Sequence, residues 1–240
     1  MKFKKLYMYY RRCLRILFAM FIAKPFCNIW LGLNIRNIEH LPSEGPAILI
    51  ANHNSHLDTV ALLSLFKLSC IYKVRPVAAA DYFFKNKVLS WVATRLFGII
   101  ALNRVRCEGL ATKDPLEPCY KALRKNQILI IFPEGSRGEA ETFQDFKKGI
   151  FHLHANFPET PVIPIYMQGL GKAMPKGDWF VLPVFADIYI GSKVEFKEDK
   201  NHYMEEIKRS FIELKEQHGR NPFYGEEQSV ENKKNLEKGS

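Results

Sequence analysis

The 240-residue chain has no Gly/Ser/Pro-rich linker, no visible internal repeat, no CxxC pair and no apolar run near the roughly 20 residues that span a bilayer. Without a linker, the 47% hydrophobic composition points to one domain with a sizeable core, although two small domains would also fit the length. That composition also excludes intrinsic disorder. The five cysteines, Cys13, Cys27, Cys70, Cys107 and Cys119, are odd in number and scattered. Such a set predicts reduced core thiols and a cytosol-facing body, with none placed for catalysis. Net charge is nearly missing from the body. Residues 1–75 hold 11 basic and 3 acidic side chains, leaving 24 and 22 for residues 76–240. A basic face spread across the whole fold is absent, so nucleic acid is not an expected partner.

What the N-terminus does hold is basic and aromatic. Lys2, Lys4, Lys5, Arg11, Arg12 and Arg15 alternate with Phe3, Leu6, Tyr7, Tyr9, Tyr10 and Leu14. The apolar run Ile16 to Ala23 follows, then Lys24-Pro25, then a second apolar stretch from Phe26 to Leu33. A secretory signal would carry a small-residue cleavage site where Lys-Pro stands. The pattern predicts two helices broken at Pro25 that lie in one leaflet, with basic and aromatic residues at headgroup level. Six such charges would contribute a few kcal/mol at roughly 1 kcal/mol each. The alternative is that these helices pack on the protein's own core. The expected organisation is membrane-associating helices over 1–33, a domain over 34–220 and a polar tail over 221–240.

The body alternates short apolar runs with amphipathic ones. Strands are predicted at Ala47 to Ala51, Pro76 to Ala80, Gly98 to Leu102, Ile128 to Phe132, Val162 to Met167, Val184 to Ile190 and Lys193 to Phe196. Helices are predicted near Leu57–Leu68, Val88–Phe97, Leu116–Leu123, Gln144–Asn156 and Tyr203–Leu214. This pattern gives an α/β fold: a mixed, largely buried sheet with helices on both faces. In such sheets, ligands gather at the strand C-termini.

Polar motifs fall at those ends. The first strand runs into Asn52-His53-Asn54-Ser55-His56-Leu57-Asp58. On a continuous helix, His53 and Asp58 would point about 140° apart, so they meet only if the chain turns at Asn54-Ser55. A carboxylate on the imidazole Nδ1–H would fix the tautomer and raise the basicity of Nε2. The plain alternative is that Ser55-x-x-Asp58 is a capping box that uses Asp58 structurally. Elsewhere, Asn103-Arg104 ends one strand and Pro133-Glu134-Gly135-Ser136-Arg137-Gly138 another. Two arginines near a His–Asp pair suit an anionic substrate, because guanidinium matches phosphate bidentately. Phe146-Lys147-Lys148-Gly149 adds positive charge, or is a solvated helix start.

Together these segments resemble the glycerolipid acyltransferase family, whose best-known members acylate lysophosphatidate. Asn52-His53-x4-Asp58 matches its N-H-x4-D block. Gly98 to Arg104 resembles the second block, Phe132-Pro133-Glu134-Gly135-Ser136-Arg137 is close to F-P-E-G-T-R, and Val162-Ile163-Pro164-Ile165 matches the short block with a proline. Order and spacing agree from about residue 35 to 195. Ala101 and Gly138 depart from the usual residues without removing a catalytic group.

The resemblance implies that His53, oriented by Asp58, is the general base that activates a lysolipid hydroxyl. Attack on an acyl thioester would then be direct, consistent with the lack of a G-x-S-x-G elbow. It further implies that Arg104 binds the phosphate, that Glu134, Gly135, Ser136 and Arg137 line the headgroup site, and that Pro164 shapes the acyl path. No cofactor is expected; acyl-CoA or acyl carrier protein is the co-substrate, and membrane lipids on the cytoplasmic face are the partners. Lysophosphatidate is the favoured acceptor, with a lyso-aminolipid or lysophosphatidylglycerol as alternatives. A metallohydrolase built on His53, His56 and Asp58 would need histidines at Asn54 and Thr59, and His152-x-His154 would diverge on a helix. A non-catalytic lipid-binding module would be marked by a broken His–Asp pair, and both residues are present.

Overall fold

The structure, a computed structural model, describes residues 2–83, 86–103, 114–136, 143–174 and 180–219. Its strands are β1 (Leu33–Arg36), β2 (Ala47–Ala51), β3 (Val74–Ala79), β4 (Ile100–Leu102), β5 (Ile128–Ile131), β6 (Val162–Gln168) and β7 (Ala186–Ile190). Its helices are α1 (Lys2–Phe18), α2 (Leu57–Ser64), α3 (Ala80–Phe83), α4 (Lys87–Val92), α5 (Glu117–Leu123), α6 (Gly149–Asn156), α7 (Leu170–Ala173) and α8 (Lys200–Gly219).

One seven-stranded sheet runs in the order β1-β7-β6-β2-β5-β3-β4. Only the β6–β7 pairing is antiparallel; the other five are parallel. The sheet is therefore mixed, as expected. β2 lies at its centre and is buried along its whole length. A strand covered on both faces needs apolar residues at every position, and Ala-Ile-Leu-Ile-Ala supplies them. Its alternate residues feed two cores. Ala47, Leu49 and Ala51 pack with Ala61, Leu62 and Leu63 of α2 on one face. Ile48 and Ile50 pack with Leu123 of α5, Leu153 of α6 and Ile207 and Phe211 of α8 on the other.

Several elements differ from expectation: the short helices α3 and α7 were not anticipated, and α6 starts at Gly149 rather than near Gln144. Residues 193–196 form no strand, only the bridge Val162↔Val194. β1 was not anticipated; its Leu-Asn-Ile-Arg alternates apolar and polar residues, but at four residues the run is at the lower limit of that signal and its Leu33 reads as the end of the preceding apolar stretch.

The N-terminal segment departs further, because the helix does not break at Pro25. α1 runs on through two π-helical turns, Ala19–Ala23 and Phe26–Trp30, and Lys24 N–H bonds to Ala19 O across the first. In an α-helix the proline ring would strike the carbonyl four residues back; the wider π turn moves that carbonyl aside. The two short apolar runs thus fuse into one 26-residue helix, Lys5–Trp30, long and apolar enough to cross a membrane by length and composition.

That helix is nonetheless docked lengthwise on the body. Ala19, Ala23, Cys27 and Leu31, spaced four apart, are fully buried, and three of them join the core that contains α2. The Arg15 guanidinium is buried and donates to four carbonyls: Tyr72 (2.8 Å), Val74 (2.6 Å), Leu96 (3.2 Å) and Phe97 (3.1 Å). Arg12 stacks on the Tyr72 ring at 3.9 Å. The opposite side leaves Phe3, Leu6, Tyr9, Tyr10, Phe21, Ile22 and Ile29 exposed. Packing on the protein's own core, the alternative reading of this segment, is thus seen on one face, while the other face stays apolar and exposed.

Candidate active site

The site forms where three adjacent parallel strands, β5, β2 and β6, end together. Immediately after β2, buried Asn52 locks onto β6. Its Nδ2 donates to Met167 O (2.8 Å), and its Oδ1 accepts from Met167 N–H (2.7 Å). The amide thus continues the ladder where the backbone leaves the sheet, and it fixes the direction in which the next residue, His53, departs.

His53 and Asp58 meet as the turn at Asn54-Ser55 requires. Asp58 Oδ2 lies 2.9 Å from His53 Nδ1 and also accepts from the backbone N–H groups of Asn54 (2.7 Å) and Ser55 (2.9 Å). The bond from Ser55 N–H is the capping-box bond, so the structural and functional readings of Asp58 share one oxygen. The carboxylate is fully buried, and the His53 side chain is 19% exposed. An anion that accepts three bonds in a dry setting holds the imidazole with Nδ1 as donor and leaves Nε2 as the basic nitrogen. The ring also stacks on Phe132, beyond the end of β5, with centroids 4.1 Å apart and planes 18° apart.

Behind His53 stands Glu134. Its Oε1 accepts from His53 N–H (3.3 Å), which ties the end of β5 to the backbone at His53. Burial pushes the Glu134 carboxyl up to about 7, against the hydrogen bond from His53 N–H; the nearby Asp58 charge pushes the same way as burial. Glu134 Oε2 and Asp58 Oδ1 are buried with no hydrogen-bond partner among the described residues.

In front of His53 opens a cavity of about 790 Å³. Val77 and Ala79 of β3, Ile99 and Leu102, Ile131, and Ile150 and Leu153 of α6 make its walls apolar. Its polar lining comes from His53, His56, Thr59, Asp81, Asn103, Ser136 and Lys147. A largely apolar cavity with a few polar groups, His53 and Lys147 among them, can hold an amphiphile.

A profile of the Acyltransferase family matches residues 32–168, more than half of the chain. The chain belongs to the Acyltransferase family. It is 33% identical over 170 residues to the chloroplastic 1-acyl-sn-glycerol-3-phosphate acyltransferase LPAT1 of Arabidopsis thaliana, covering 69% of this chain and 45% of that protein. To the human 1-acyl-sn-glycerol-3-phosphate acyltransferase alpha it is 27% identical over 138 residues, covering 58% and 46%. The chain thus spans less than half the length of these relatives. Among solved structures, the 1-acyl-sn-glycerophosphate acyltransferase PlsC from Thermotoga maritima shares the fold, with a TM-score of 0.65, 21% identity and coverage of 91% of this chain and 90% of that one.

Within this Acyltransferase-family chain, the structure brings together His53, Asp58, Glu134, Gly135 and Ser136 of the predicted site residues. Arg104 and Arg137 lie outside the described residues. Pro164 does not line the large cavity; it pairs with Ile50 in mid-β6 and lines a separate 240 Å³ cavity near α8 with Gly191 and Leu214. The reason is register: the site sits beyond the strand ends, and Pro164 is three residues before Met167, where Asn52 marks that edge.

Lys147 is the site residue that sequence reading left undecided. Its Nζ lies over Gly135, so close that a β-carbon there would come within 2.5 Å, and Gly135 has φ +72°, which favours glycine. Lys148, by contrast, stands at the residue before α6, makes no side-chain cap bond and does not line the cavity. Charge alone could not separate the two lysines. His152 and His154 diverge as expected: His152 is exposed, while His154 is buried with Nδ1 2.6 Å from the Tyr203 hydroxyl.

Proposed function

We propose that the chain transfers a fatty acyl group from an acyl thioester to the free hydroxyl of a lysolipid, with 1-acyl-sn-glycerol 3-phosphate as acceptor and phosphatidate as product. The observation that carries this reading is the His53–Asp58 pair, with His53 lining the largely apolar cavity. The similarity to 1-acyl-sn-glycerol-3-phosphate acyltransferases supports this acceptor over a lyso-aminolipid or lysophosphatidylglycerol.

The chemistry needs one base and no covalent enzyme intermediate. His53 Nε2 takes the proton as the acceptor hydroxyl attacks the thioester carbonyl, and a C–O bond forms. The tetrahedral intermediate collapses, the C–S bond breaks, and the imidazolium returns its proton to the leaving thiolate. Asp58 stabilises that transient imidazolium. Lys147, with Arg104 and Arg137 by resemblance, supplies positive charge for the acceptor phosphate. Acyl-CoA or acyl carrier protein is the donor.

Membrane association completes the reading. Residues 11 to 31 of the N-terminal helix are tied to the body along their length. A helix carrying a folded domain on one side cannot stand upright in a bilayer without drawing that domain into the hydrocarbon, so it lies in the interface with Phe21, Ile22 and Ile29 toward the lipid. Incubating purified protein with labelled acyl-CoA, or acylated carrier protein, and a panel of lysolipids tests the proposal. Phosphatidate is expected from wild type and not from His53→Ala; transfer by a folded His53→Ala protein refutes the mechanism. Transfer to another lysolipid alone refutes the acceptor, and no transfer from either donor refutes the activity.

A further inference from the structure

Helix α4 exposes apolar surface that the core does not use. None of its residues is buried, and Val88, Leu89 and Trp91 are 71%, 37% and 46% exposed. The helix is nevertheless well begun: Asn86 Oδ1 accepts from Val88 N–H (2.8 Å) and Leu89 N–H (3.4 Å). With the π-helical continuation Ala93–Phe97, the positions of Val88, Trp91 and Arg95 fall on one side.

That side runs on into the exposed face of α1. The Arg95 guanidinium stacks on the Tyr7 ring at 4.8 Å, and Arg11 Nη2 donates to Thr94 O at 2.8 Å. One turn either side of Tyr7 are Phe3 and Tyr10, 88% and 52% exposed. The flanking charge has one sign: Lys87, Arg95, Arg11 and Arg12 border the stripe, and no acidic residue occurs between Asp81 and Glu108. A two-fold contact with a second copy would set these cations against each other; an anionic lipid surface would neutralise them.

We propose that α4 is a second membrane-contact element, which inserts Val88, Leu89 and Trp91 into an anionic bilayer beside α1. The proposal rests on the interfacial placement argued above and adds a consequence for the site. α4 lies between β3 and β4 in the chain, and Ala79, Leu102 and Asn103 at the ends of those strands line the cavity. Two anchors fix the rotation of the domain about the helix axis, which one helix cannot do, and so hold one edge of the cavity at the lipid.

The test uses the full chain with Trp30→Phe and Trp179→Phe, which leaves Trp91 as the sole tryptophan, and vesicles of phosphatidylglycerol and phosphatidylcholine. The expected result is a blue-shifted Trp91 emission that acyl-brominated lipid quenches. In the otherwise native chain, Val88→Ser with Trp91→Ser should weaken vesicle partition about tenfold or more, with transfer from detergent-dispersed substrates unchanged. Unshifted Trp91 emission in protein that floats with vesicles overturns the role of α4 and leaves the α1 anchor standing. Protein that does not float overturns both. A shift that needs no lipid and grows with protein concentration assigns the patch to self-association instead.

Discussion

Replacing Asp58 separates two roles that one oxygen performs. Oδ2 holds the imidazole of His53 and the backbone N–H groups of Asn54 and Ser55. Asp58→Asn keeps the shape and one carbonyl acceptor, so it can still cap the turn. A neutral carbonyl has two lone pairs for three donors, so about one charge-assisted bond is lost, on the order of 1–3 kcal/mol of stability. The anion that stabilises the imidazolium is gone entirely, and acyl transfer should fall by about 10²–10⁴. Asp58→Ala leaves both buried N–H groups unsatisfied as well, which costs on the order of 2–6 kcal/mol. Urea unfolding at pH 7 and phosphatidate formation, measured on both variants, give a two-by-two outcome. Asn should lose activity with most of its stability retained, and Ala should lose both. An Asp58→Asn protein that turns over near the wild-type rate, alongside an unfolded Asp58→Ala protein, would make Asp58 a helix cap and nothing more.

Glu134 gives the stability a pH dependence of known sign. Its carboxyl ionises near 7 in the folded chain, above the usual 4.5, so the folded state holds the proton longer. Stability from this group is therefore complete below about pH 4.5 and declines as pH rises to 7, by at most about 3 kcal/mol. Glu134→Gln should remove that decline, and urea midpoints at pH 5 and pH 8 that move equally in both proteins would disprove it. Gly135→Ala forces a left-handed residue, costing about 1–2 kcal/mol, and displaces Lys147. The Michaelis constant for lysophosphatidate should rise, and adding Lys147→Met should raise it little further, as a double-mutant cycle would read. Arg15→Met strips four carbonyls of their donor and should cost on the order of 3–5 kcal/mol, with faster proteolysis of the N-terminal helix; an unchanged urea midpoint would show that this contact does not hold it.

The strands that build the site were legible because burial on both faces demands continuous apolar runs, and β2, β5 and β6 are such runs. The His53–Asp58 contact was legible for a local reason: five residues with a turn between them leave few geometries. Pairings across the sheet were not. Nothing in Asn52 or Met167 announces that they bond, since their separation of 115 residues is closed only by the strand order. The fusion of the N-terminal runs was hidden for a different reason: proline reads as a helix breaker, and the π turn that accommodates it leaves no compositional mark. Lys147 and Pro164 show the same limit from two sides. Their distance from His53 depends on where the strands end, which a run of apolar letters gives only to within a residue or two.

The Arg15 lock also sets an order of events at the ribosome. The carbonyls that satisfy the guanidinium belong to residues 57 to 82 positions later in the chain. At 5–20 residues per second, synthesis of the last of them trails the arginine by roughly 4–16 s. For most of that interval, once Trp30 has been added, the amphipathic helix has its full length but no seat on its own domain, and its cation must stay in water. The segment is first available to whatever apolar surface lies nearest the exit tunnel, and only later to its own fold. Shortening that delay, for instance by circular permutation that moves residues 72–97 ahead of the helix, would change when the chain commits its N-terminus without altering any contact in the finished protein.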